Sequence, residues 1–76
     1  MSNFSERLKE LRKQKGVTQK AVAISISMSE RNYQELEYGT FNPNYESLLK
    51  LADYFDVSLD YLTGRTENPK INPSEK

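Results

Sequence analysis

The 76-residue chain contains no cysteine and no histidine. Without cysteine it forms no disulfide and no thiolate metal site. Without histidine it lacks the commonest metal ligand and the usual proton shuttle near neutral pH. No apolar run approaches the roughly 20 residues that a membrane helix needs, and the N-terminus has no basic-then-apolar leader pattern. Net charge is missing too, since eleven basic residues balance eleven acidic ones. That balance argues against a strong general polyanion binder. The length leaves no room for a second domain, and a chain this short buries only about 60% of its unfolded surface. There is no glycine-rich phosphate loop and no isolated carboxylate pair in an apolar setting. An enzyme is therefore not expected. Neither is a metal, a cofactor or a small-molecule ligand, and the expectation is a soluble cytoplasmic protein.

The charges that are present are unevenly placed. Through Lys20, six basic residues stand against Glu6 and Glu10; from Glu30 on, five stand against nine acids. One basic face is one reading of this dipole, and a solvated first helix of mixed charge is the other. Apolar residues recur at helical spacing and nowhere alternate as a strand would. A first helix runs from Phe4 to Lys15 behind Asn3, with Phe4, Leu8 and Leu11 as its stripe, Arg12 bordering it and Gly16 as the stop. Tyr45–Phe55 forms a fourth helix capped by Asn44, with Leu48, Leu51, Ala52 and Phe55 inward. Ser58 caps a short fifth helix over Leu59–Thr63, which Gly64 closes. The fold class is all-α: a compact five-helix domain over residues 1–64. Residues 65–76 are polar, with two prolines, and read as a disordered or loosely attached tail.

The remaining stretch, Gln19–Glu37, organises the rest. Thr18 caps a helix over Gln19–Ser25, and Ser29 caps another over Glu30–Glu37. Val22 and Ile26 share one face; Tyr33 and Leu36 share another; Met28 plugs the corner. The pattern is two short helices and a tight turn. The second helix keeps a polar face of Glu30, Arg31, Gln34 and Glu35, set to lie in a groove of DNA.

With these segments read, the chain resembles the lambda-repressor/Cro-like helix-turn-helix family of bacterial and phage regulators, also called the xenobiotic-response-element family. The resemblance is carried by RLKELRKQKGVTQ, by the pattern around Ala23, Met28 and Leu36, by ELEYG, by the following NP, and by SLLKLADYFDVSLDYLTGR. It implies a transcriptional regulator, most simply a repressor, that binds a pseudopalindromic double-stranded operator as a homodimer with the third helix in the major groove. It places Glu30, Arg31 and Glu35 at the bases, with Asn32 and Gln34 beside them. It places Gln19 on a phosphate and against the third helix, and pairs Arg12 with Glu37 in a buried salt bridge. Three departures stand out. Ser27 occupies the usual glycine of the turn, Tyr33 the place of a β-branched aliphatic, and Thr40 and Asn42 a loop that often carries cations.

Arg31 can donate twice to guanine, whereas Glu30 and Glu35 either accept from cytosine or hold Arg31 in place. Arg12, Lys13, Thr18, Gln19, Lys20, Thr40 and Asn42 are the expected backbone contacts. Tyr54, Leu59, Tyr61 and Leu62 are the expected dimer contact, with Tyr61 and Leu62 nearest the twofold axis, and Leu59 and Leu62 are expected to complete the core as well. The alternative function is a protein-interaction module on the same fold, an antitoxin-like or anti-repressor partner. It is suggested by the zero net charge and the acidic third helix.

Overall fold

The structure is a computed structural model that describes residues 3–69. Among them are five helices and no strand: α1 Phe4–Lys15, α2 Gln19–Ser25, α3 Glu30–Tyr38, α4 Tyr45–Phe55 and α5 Leu59–Leu62. Each begins on a side chain that accepts the backbone N–H three residues on. Asn3, Thr18, Ser29, Asn44 and Ser58 accept from Glu6, Ala21, Asn32, Ser47 and Tyr61. These caps satisfy donors that a helix start otherwise leaves open.

α1 ends on Gly16 and α3 on Gly39, both left-handed. Gly39 is needed twice over. Its φ is 85°, and a Cβ there would lie 3.2 Å from Ser5 Oγ. That hydroxyl is already spoken for, because it donates to the Leu36 carbonyl at 2.8 Å and ties α1 to the end of α3. α4 ends on Asp56, which takes the left-handed conformation at φ 56°. Aspartate tolerates that region better than most residues with a Cβ.

Leu8, Leu11, Val22, Ala23, Ile26, Tyr33, Leu36, Leu51, Ala52, Val57 and Leu62 form one core. Phe4, Met28, Leu48 and Phe55, expected inside, lie at its half-buried margin. α3 packs on α1 and α2, and α5 packs on α1 and α4. α2 is thus carried by α3 and α3 by α1, and the polar side of α3 faces away from the core.

The sequence places a loose tail from Arg65, but residues 65–69 fold back onto the domain. The N–H groups of Arg65 and Thr66 donate to the Asp60 carbonyl, and that of Ser58 donates to the Pro69 carbonyl. Arg7 Nη2 donates to both Glu67 carboxylate oxygens at 3.1 Å. The guanidinium carbon of Arg7 sits 3.9 Å from the centroid of the Tyr61 ring. Residues 70–76, where the rest of that expected tail falls, lie outside the described residues, as do Met1 and Ser2.

Candidate nucleic-acid interface

α2 and α3 are joined at Ile26–Ser29. The Met28 N–H donates back to the Ala23 carbonyl at 2.9 Å, and Ser27 takes φ 58° to make the corner. A left-handed serine is strained by roughly 1 kcal/mol or more, because its Cβ crowds the next carbonyl. The departure noted in the sequence is thus a real strain, held by the core residues Ile26 and Tyr33 on either side.

α3 divides sharply. Tyr33, Leu36 and Glu37 are buried. Glu30, Arg31 and Asn32 are exposed, and Gln34 and Glu35 half-exposed, so all five expected reading residues lie on the open side. Among the described residues the ion pairs are Arg7–Glu67 and Arg12–Glu37. Arg31 is therefore not held by Glu30 or Glu35, and its guanidinium is available for another acceptor.

The buried side is built around the Glu37 carboxylate. Arg12 Nε donates to Oε2 at 2.6 Å and Arg12 Nη2 to Oε1 at 3.2 Å. The Tyr33 hydroxyl donates to Oε2 at 2.6 Å, and Gln19 Nε2 donates to Oε1 at 3.1 Å. Burial pushes this carboxyl up, but the hydrogen bonds from Arg12, Tyr33 and Gln19, with the charge of Arg12, outweigh it and hold it below its ordinary range. The hydrogen bond to Glu37 raises the pKa of Arg12 against the opposing effect of burial. Burial, and then its bond to Glu37, raises that of Tyr33. The network ties α1, α2 and α3 together behind the reading face. The expected Arg12–Glu37 pair is present, and the hydroxyl of Tyr33 has found its partner.

Two expected roles are corrected by this geometry. Arg12 was also expected on the DNA backbone. Its third nitrogen, Nη1, donates to the Val17 carbonyl at 3.2 Å and its side chain is 17% exposed, so it belongs to the interior network. Leu62 was expected both to complete the core and to lie nearest a twofold axis; it is fully buried in its own chain's core, so only the first role stands. The other expected backbone residues Lys13, Thr18, Lys20, Thr40 and Asn42 are exposed, and Gln19 is half-exposed. Tyr54, Leu59 and Tyr61 are half-buried. Tyr54 carries Lys15 Nζ 5.1 Å from its ring centroid.

Arg7 was missed as an interior residue. It is 3% exposed, and its Nη1 has no hydrogen-bond partner among the described residues. Its position was the available signal, since it lies three residues after Phe4 and four before Leu11, on the buried stripe. Tyr38 and Tyr45, 74% and 67% exposed, stand at the end of α3 and the start of α4. Among the described residues no cluster of acids could hold a metal ion, and no helix is long and apolar enough to cross a membrane.

The geometry is that of a helix-turn-helix domain, and the family described as "Helix-turn-helix domain" matches residues 5–66. The chain belongs to the lambda-repressor/Cro-like helix-turn-helix family of regulators. It is 39% identical over 72 residues to the uncharacterized HTH-type transcriptional regulator YqaE of Bacillus subtilis, covering 95% of this chain and 62% of that one. It is 40% identical over 62 residues to the cryptic phage CTXphi transcriptional repressor RstR of Vibrio cholerae, covering 82% of this chain and 55% of that one. The chain thus spans little more than half the length of these relatives. Among solved structures it resembles the P22 c2 repressor in complex with a synthetic operator, with a TM-score of 0.77 and 29% identity over 82% of this chain and 94% of that one. The family and these named relatives are DNA-binding transcriptional regulators, not enzymes.

Proposed function

We propose that this domain binds a specific double-stranded operator with α3 in the major groove, as a homodimer on a pseudopalindromic site, and acts in the cytoplasm as a transcriptional repressor. The observation that carries the reading is the free Arg31 on an exposed polar face whose other side is anchored by the Glu37 network. An anchored helix holds its reading side chains at a fixed register. The resemblance to a repressor solved with its operator supports the same arrangement.

In this reading Arg31 donates two hydrogen bonds to guanine O6 and N7, worth about 1–3 kcal/mol of discrimination. Glu30 and Glu35 accept from cytosine N4, and Asn32 and Gln34 meet adenine. Lys13, Thr18, Gln19, Lys20, Thr40 and Asn42 contact the sugar-phosphate backbone, which positions the domain but carries no sequence information directly. Tyr54, Leu59 and Tyr61 form the contact between copies and set half-sites about 34–36 Å apart, or a multiple of that. Selection of bound duplexes from a random pool tests the reading. A recovered inverted repeat supports it; recovery no richer than the starting pool rejects it.

One observation favours a second reading. The open face of α3 carries Glu30 and Glu35, and the chain has no net positive charge. Such a surface suits a basic protein partner. A stoichiometric complex with one protein, together with no retardation of any selected duplex, would establish that alternative instead.

A further inference from the structure

Glu37 has its acceptor capacity filled. An ionised carboxylate offers about four lone-pair sites, and four donors occupy them: Arg12 Nε, Arg12 Nη2, Gln19 Nε2 and the Tyr33 hydroxyl. The occupancy is ordered. Oε1 takes Arg12 Nη2 and Gln19; Oε2 takes Arg12 Nε and Tyr33. Arg12 cannot rearrange freely, because its remaining nitrogen is held by the Val17 carbonyl. Tyr33 is 0% exposed, so it cannot touch a ligand, and its hydroxyl donates to Glu37. Gln19, half-exposed at the first position of α2, is the member of this network on the face expected to meet DNA.

We propose that Tyr33 is a positioning residue for DNA binding: by filling Oε2 it confines Gln19 to Oε1, and so turns the second amide proton of Gln19 outward to a backbone phosphate. A primary amide has two N–H donors in one plane. When one is held by a buried carboxylate, the direction of the other is set. Without the hydroxyl, Oε2 has an empty lone pair in a largely buried site, which is costly to leave unmade. Gln19 or a water then moves toward it, and the outward N–H loses its fixed aim. The proposal rests on the reading above that Gln19 faces a phosphate. Tyr33 stands where the resembled family usually has an aliphatic residue, so the device belongs to this chain's own sequence.

The test compares wild type, Tyr33→Phe, Gln19→Ala and the double variant. Each is titrated with a duplex selected by the wild type and with a scrambled duplex, at three salt concentrations and below its own melting range. Phenylalanine keeps the ring and removes only the hydroxyl. Tyr33→Phe should weaken binding to both duplexes by a similar factor, about fivefold for each lost phosphate hydrogen bond and so about 25-fold for a dimer that loses one on each copy. The double variant should bind no more weakly than Gln19→Ala alone. Wild-type affinity for Tyr33→Phe, losses that multiply in the double variant, or a changed base preference would each overturn the proposal. A wild type that prefers the selected duplex while Tyr33→Phe binds equally well sinks this proposal alone. A wild type with no preference sinks it together with the DNA reading. A second measurement does not depend on how any variant folds. In the free wild-type protein, the two Gln19 side-chain amide protons should be split more widely in the NMR spectrum than those of exposed Gln14. An equal splitting contradicts the proposal.

Discussion

The Glu37 carboxylate sits in the interior with a guanidinium, a phenol and an amide all donating to it. Removing Arg12 strands the Glu37 carboxylate, whose side chain is 1% exposed. Arg12→Ala should therefore cost about 3–5 kcal/mol of stability in urea denaturation, more than deleting an exposed ion pair would. The pH dependence follows from the same group. Folding holds the Glu37 pKa below its ordinary 4.5, so the folded protein binds this proton less readily than the unfolded chain. Its contribution is complete above about pH 4.5 and fades as pH falls through the lower folded value. Tyr33 works in the opposite direction. Its pKa is raised by folding, so its contribution is complete below pH 10.0 and is lost as the solution becomes more alkaline. Urea midpoints measured from pH 7 down to pH 2 should fall on the acid side, and a Glu37→Gln variant should show a shallower fall. Ser27 is the other residue whose effect can be read from its own geometry. At φ 58°, Ser27→Gly should stabilise the domain by about 0.5–1 kcal/mol, the relief of strain being partly offset by a more flexible unfolded chain.

The helices themselves were legible because their signals are local. Asn3, Thr18, Ser29, Asn44 and Ser58 each cap a helix within three residues of themselves, and Gly16 and Gly39 end two of them. Elements that depend on distant partners were less legible. Leu62 reads as both a core residue and a surface anchor, and the packing of α5 on α1 and α4 leaves it the core role alone. Arg12 reads chiefly as the partner of Glu37 in the sequence, and the Val17 carbonyl, which takes its third nitrogen, is what removes the second role on the DNA backbone. The segment 65–69 has the composition of a tail, yet one arginine 58 residues before Arg65 pins it. That pin joins a buried Arg7 to a Glu67 whose side chain is 71% exposed. Solvent weakens such a pair, so Glu67→Ala should cost under about 1 kcal/mol. Arg7→Ala should cost about 2 kcal/mol or more, because it also removes the guanidinium packed on Tyr61. Thermal melts of the two variants check the difference; equal losses would mean that the ion pair, rather than the stacking, is what Arg7 contributes.

At the scale of the whole molecule, the chain carries no net charge, so the proposed binding to a polyanion would rest on few cations. With Arg12 committed to the interior, Lys13 and Lys20 are the expected phosphate-facing lysines of each copy. The proposed dimer would then neutralise few phosphates, and the logarithm of the binding constant should fall with the logarithm of salt at a slope of roughly −4. A slope near −10 would mean that cations outside this face carry the binding. With so shallow an electrostatic contribution, discrimination must come from base contacts, and Arg31 is the strongest donor on the open face. The direct measurement is the affinity of wild type and Arg31→Ala for the selected operator and for variants with each guanine replaced. Wild type should lose about 5- to 150-fold when one guanine in a single half-site is replaced, and Arg31→Ala should no longer distinguish that position. An Arg31→Ala protein that keeps the wild-type order of preference at every position would contradict it.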